Sequence, residues 1–129
     1  MGQGHLFAAV LPLADQADLV EALRKTIISL SNPAEIREIR LFGSAARQEM
    51  TTASDLDVVV IVESPSEVKG AQKALNQLSR LLDWPVDCLV VSRELFEARA
   101  RVGGVYAIAK EEGVALSLSR PEGAGSRGS

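Results

Sequence analysis

Apolar and polar positions follow two rhythms along this chain. Leu19, Leu23, Ile27 and Leu30 recur at helical spacing, which predicts a helix from Asp15 to about Leu30, closed by Ser31-Asn32-Pro33. Glu35–Phe42 alternates, with Ile36 and Ile39 interrupted by charges, and reads as a strand. Gly43-Ser44 follows at once, and a short helix over Ala45–Glu49 with Ser44 as its cap fits the residues there. After a polar connection over 50–54, Leu56–Val62 is a β-branched run that reads as a buried strand. Ser64-Pro65-Ser66-Glu67 is a helix start: Ser caps, Pro occupies the first turn, and Glu reaches back. Val68, Ala71, Leu75, Leu78 and Leu82 then mark one apolar face of a helix over 66–82, ended by Trp84-Pro85.

Val86–Val91 predicts a third strand, and Ser92 a cap for a helix through Phe96. Gly103-Gly104 breaks or bends that helix before Tyr106–Glu112, and Val114–Leu118 fits a short terminal strand after Gly113. Residues 1–12 have no clear period. The order implies an α/β (α+β) domain, a mixed sheet flanked by helices. A single domain is expected over 1–119, with a disordered tail of Pro, Gly, Ser and Arg over 120–129.

Composition narrows the function. Of 129 residues, 47% are apolar and 24% charged, and the net charge is −3. That balance argues against stable nucleic-acid binding, which needs clustered Lys and Arg to displace counterions. Cys88 is the single cysteine, so no internal disulfide forms, and a reducing, cytoplasmic setting is expected. One Cys and one His (His5) cannot build a zinc site alone. No segment has the ~18 consecutive apolar residues of a membrane span, and the apolar stretch near Leu6–Leu13 is broken by Pro12 and lacks a basic leader.

The informative residues lie between the first and third strands. Asp55 and Asp57, two apart at the start of a strand, project from one face. Paired carboxylates repel unless something cationic lies between them, and Mg2+, with its preference for hard oxygen ligands and phosphates, suits that place. Gly43 lets the backbone turn sharply and approach a ligand, and Ser44 brings a hydroxyl at a helix start suited to phosphate. Arg47, one turn on, offers a charged fork to a phosphate or braces a carboxylate. Asp87 is a lone charge in an apolar strand. If that strand neighbours the Asp55/Asp57 strand, Asp87 completes a three-carboxylate cluster as general base or second-metal ligand, with two cations bridging it.

Plainer readings exist for each. Asp-x-Asp alone is most often a turn or a solvated strand end, and Arg47 pairs equally well with Glu49 or Asp55 at the surface. Asp87 fits a strand end facing water. Cys88 points opposite to Asp87 and suits the core. Trp84 reads as a lid on the core, the Arg93–Arg101 segment as a solvated helix face, and His5 as a surface residue.

Gly43-Ser44, ten intervening residues, then Asp55-Leu56-Asp57 resembles the signature of the DNA polymerase beta-like nucleotidyltransferase superfamily, and Gly-Ser-Ala-Ala-Arg with Ser-Asp-Leu-Asp most resembles its minimal nucleotidyltransferase (MNT) branch. The resemblance runs from about Ile36 to Val91. It implies transfer of a nucleoside monophosphate from ATP or another NTP, with two Mg2+ ions held by Asp55, Asp57 and Asp87 and with Gly43 and Ser44 on the phosphates. Gln48 departs from the pattern, since relatives often have glycine after the arginine, and bears on the conformation of that loop. Small stand-alone members resemble the antitoxin half of MNT–HEPN gene pairs, of the MntA type, which implies a HEPN-type toxin as partner and AMP transfer to a protein hydroxyl. Neutralisation by binding alone, and modification of a small molecule such as an aminoglycoside by a dimer, are the alternatives. Nucleotide preference and homo-oligomerisation stay open at this stage.

Overall fold

The computed structural model describes residues 8–119. His5 and the expected tail over 120–129 lie outside the described residues. Helix α1 (Leu13–Leu30) leads into strand β1 (Ile36–Phe42), the short helix α2 (Gly43–Ala46) and strand β2 (Leu56–Val62). Helices α3 (Val68–Leu75) and α4 (Leu78–Leu82) precede strand β3 (Val86–Ser92), and helices α5 (Arg93–Ala100) and α6 (Val105–Glu112) precede strand β4 (Val114–Leu116). The strands form one mixed sheet in the order β3-β2-β1-β4. Strand β1 pairs antiparallel with β2 and β4, and β2 pairs parallel with β3. No described helix is long and apolar enough to cross a membrane.

The unbroken apolar run of β2 follows from its central place, because both of its faces are covered. Val58, Val60 and Val62 belong to the larger core with Leu23, Ile27, Leu75 and Leu78 from the helices of one layer. Val59 and Ile61 point the other way, into a smaller core with Phe42, Val91, Phe96 and Ala109 under α5 and α6. In β1, Ile36 and Ile39 are three residues apart, which strict alternation would send to opposite faces. A register shift between Ile36 and Glu38 resolves this, and both isoleucines lie in the larger core.

The single helix expected over 66–82 is two helices, with Asn76 and Gln77 between them. Its start is as expected, with the Ser64 amide donating to Glu67 Oε1 at 3.0 Å. The break lets two side chains cover the open edge of β3. The Gln72 amide donates to Cys88 O and accepts from Val90 N, each at 3.0 Å, and Ser79 Oγ accepts from Val86 N at 2.9 Å. These side chains take up donors and acceptors that an edge strand otherwise leaves open to another chain. Ser92 caps α5 as expected, its hydroxyl accepting from Leu95 N at 3.3 Å.

Helix α6 is clamped to β1 by Arg40. Its guanidinium donates to Ala109 O at 2.8 Å, Lys110 O at 3.2 Å and Gly113 O at 2.8 Å, and pairs with Glu38 at 2.5 Å. These carbonyls lie at the end of the helix, where Ala109 O also accepts from Gly113 N, and a cation there adds donors and opposes the helix dipole. Arg40→Met removes these charge-assisted bonds and is expected to cost about 2–3 kcal/mol in urea unfolding. A loss near zero would show that water replaces the guanidinium at no cost.

Candidate active site

Strand register brings the predicted carboxylates together. Phe42 pairs with Asp57 across β1 and β2, and Asp57 pairs with Asp87 across β2 and β3. Paired positions on neighbouring strands stand about 5 Å apart. Asp57 alternates with Val59 and Ile61, and Asp87 with Leu89 and Val91, so both acids lie on the face that α5 and α6 cover. They occupy the end of that face where the apolar packing stops. Asp55 immediately precedes β2 and has the same parity. Asp55 and Asp87 are exposed and Asp57 is partly buried.

Gly43 stands against Asp57. Its φ is +72°, a conformation that side chains other than glycine's rarely adopt. A Cβ added there would run into Asp57 Oδ2 and lie 3.3 Å from Asp57 Cγ. The glycine-serine turn and the central carboxylate therefore form one cradle, which any side chain at position 43 would fill.

Helix α2 differs from expectation. It spans Gly43–Ala46, so Ser44 lies inside it and its hydroxyl makes no capping bond. The helix stops early because Gln48 takes φ +59°, with Gln48 N donating to Ala45 O and Glu49 N to Ser44 O. Gln48 is thus the position where a left-handed residue is needed, a conformation that glycine adopts at less cost. Four residues carry little macrodipole, so any anion binding here rests on local N–H groups.

Arg47 lies beside this turn. Its Nε is 3.0 Å from Glu49 Oε1 and its Nη1 is 3.9 Å from Glu112 Oε1. The surface pairing with Glu49 is therefore present, whereas among the described residues Arg47 forms no ion pair with Asp55. The Arg47 charge still reaches Asp57. Burial holds the Asp57 carboxyl above the ordinary aspartate range, the charges of Asp87 and Asp55 raise it further, and Arg47 pulls it back. Asp57 therefore feels both of the other predicted acids. Among the described residues, no group of three His, Cys, Asp or Glu side chains is gathered tightly enough to form a ready-made cation cage. Carboxylates that repel one another stand apart.

Cys88 packs against the larger core on the opposite side from Asp87, and burial followed by the Asp87 charge pushes its thiol up to about 12. Trp84 packs on that core as well, as a lid would. A groove of about 290 Å3 lies behind α2, lined by Leu13, Gln16, Val20, Leu41, Ala45 and Leu116 among others, and it contains none of the predicted site residues.

The family model of the nucleotidyltransferase domain matches residues 20–116, which takes in the whole sheet, the glycine-serine turn and all three acids. The chain belongs to the nucleotidyltransferase domain family. Two proteins of Methanocaldococcus jannaschii are similar over 73 residues, 57% of this chain and 74% of each relative. The first, named "Putative protein adenylyltransferase MJ0126", is 33% identical, and the second, named "Putative protein adenylyltransferase MJ1217", is 32% identical. The likeness to minimal nucleotidyltransferases read from the motif thus holds, and the mixed sheet flanked by helices is the architecture expected with it.

Two features of this nucleotidyltransferase were not singled out from sequence. Arg40 has the same parity as Phe42 and Asp57, and a charge inside a strand was the available signal. Glu112 reaches Arg47 only through the docking of α6, and no local pattern marks it.

The structure gives two expectations for stability. Gln48→Gly relieves a left-handed backbone that costs an L residue roughly 1–2 kcal/mol, offset by the greater freedom of glycine in the unfolded chain. A net gain of about 0.5–1 kcal/mol in chemical denaturation is expected, and a loss would mean that the Gln48 side chain itself stabilises the turn. Because the folded Asp57 carboxyl holds its proton more tightly than the unfolded one, ionising it costs the folded state as pH rises through the raised value. Metal-free Asp57→Asn should therefore melt above the parent protein at pH 7, with the gap closing on acidification. A lower melting temperature at pH 7 would contradict this assignment.

Proposed function

We propose that this nucleotidyltransferase transfers AMP from ATP to a hydroxyl on a partner protein, using Asp55, Asp57 and Asp87 as the acidic centre and Gly43, Ser44 and Arg47 on the triphosphate. The observation that carries the reading is the placement of Gly43 directly against Asp57, with Asp87 in register beside it. One loop then faces both the phosphates and the central acid.

The donor set suits Mg2+, being all hard carboxylate oxygen, and a cation would relieve both the burial of the Asp57 charge and the lesser repulsion from Asp87 and Asp55 that raise its carboxyl. Asp55 and Asp57 would hold one ion with the phosphates, and Asp87 would join Asp57 on a second. Bound there, magnesium would supply positive charge to the phosphoryl oxygens as the bond order shifts. The protein's own part is orientation. The acceptor oxygen forms a bond to the α-phosphorus, the bond from that phosphorus to the bridging oxygen of the β-phosphate breaks, and pyrophosphate leaves. The hydroxyl proton passes to the exposed Asp87 carboxylate.

A protein acceptor is favoured by the names carried by both relatives. The resemblance to the antitoxin half of MNT–HEPN pairs suggests a HEPN-type toxin as that acceptor, with the chain acting as antitoxin in the cytoplasm. The test is incubation with α-labelled ATP, magnesium and the candidate toxin. Label should pass to the toxin, and Asp57→Asn should lower transfer by about 10²-fold or more, as expected for loss of a main electrostatic contributor. Neutralisation of the toxin by Asp57→Asn without label would instead establish an antitoxin that works by covering its partner.

A further inference from the structure

We propose that Glu112, on the last turn of α6, sets the affinity of the site for nucleoside triphosphate by competing with the phosphates for Arg47. The proposal rests on the reading of Arg47 as a phosphate contact and adds a control on it from a distant part of the chain.

Arg47 is the one cation whose charge is felt at Asp57 among the described residues. Two carboxylates already engage it, Glu49 at 3.0 Å and Glu112 at 3.9 Å. Glu49 belongs to the same loop and moves with it. Glu112 comes from another element, and its backbone is held in place. The Arg40 guanidinium binds the carbonyls of Ala109, Lys110 and Gly113 on either side of it. Gly113 sits so close to β1 that an added Cβ would come within 3.1 Å of Leu41 O. The C-terminus of α6 is therefore fixed to the same strand whose end carries Gly43, and Glu112 stays beside the phosphate-facing loop.

Arg47 and Glu112 are each about half exposed, so the pair contributes little to folding. Its consequence lies in charge balance. A triphosphate offers the guanidinium a stronger, bidentate acceptor than a single distant carboxylate oxygen. For Arg47 to turn to the phosphates, its pair with Glu112 must break. Breaking the pair weakens triphosphate binding, and this cost exists only where Arg47 is present.

The experiment is calorimetric titration of the full chain with Mg-ATP, which needs no acceptor. Glu112→Gln keeps the shape and removes the charge. It should tighten Mg-ATP binding about two- to fivefold, the range of an exposed ion pair, with the melting temperature unchanged. In an Arg47→Gln background the same substitution should have no effect. Unchanged affinity in the Arg47 protein overturns the proposal. So does equal tightening in both backgrounds, which would be a general field effect rather than competition for Arg47. If the parent chain binds no Mg-ATP, the nucleotide-site reading fails as well, whereas normal binding that ignores Glu112→Gln sinks this inference alone.

Discussion

Strand β2 is hydrogen-bonded on both sides, antiparallel to β1 and parallel to β3, and that double pairing fixes the site. Asp57 is opposite Phe42 on one side and Asp87 on the other. Neither acid can turn away, because a one-residue slip of β3 would drive Val91 out of the smaller core, and a slip of β1 would do the same to Phe42. The apolar residues of β2 and β3 thus enforce the closeness of charges that would otherwise separate. Asp57 shows the result: burial raises its carboxyl most, and the charges of Asp87 and Asp55 add to that.

Much of this was legible in the chain. The limits of β2 follow from its unbroken apolar run, and the pairing of Asp55 with Asp57 follows from parity alone. Asp87 was suspect because a charge inside an apolar strand needs a reason, and its register with Asp57 supplies one. What escaped reading depends on distant contacts. The division of the 66–82 helix accompanies the bonds of Gln72 and Ser79 to the edge of β3, contacts that no local window contains. The early end of α2 depends on one left-handed residue, Gln48, in a stretch whose propensities permit more helix. Departure from the motif did point at that residue, though as a question about the loop rather than as the point where α2 ends.

The two faces of the sheet have different tasks. The larger core joins α1, α3 and α4 to one face through a continuous apolar surface. The other face carries a smaller core, centred on Phe96, Phe42 and Val59, with Tyr106 packed edge-on against Phe96 at 5.8 Å. Stability can therefore reside mainly on the first face, which leaves the second free to end in carboxylates. A charge cluster costs least where packing has already stopped and water can reach two of its three members, and Asp55 and Asp87 are both exposed.

Helix α6 connects these tasks. It closes the smaller core through Ala109 and at its C-terminus places Glu112 near Arg47. Arg40 makes the connection firm, because it projects from the acid-bearing face of β1 and satisfies the carbonyls that end the helix. A buried or half-buried arginine in a strand is costly unless its donors are used, and here four acceptors use them. The same contacts that hold the fold closed therefore fix the charge environment of the loop over Asp57. Changes in α6 can alter that environment without touching any acid of the site.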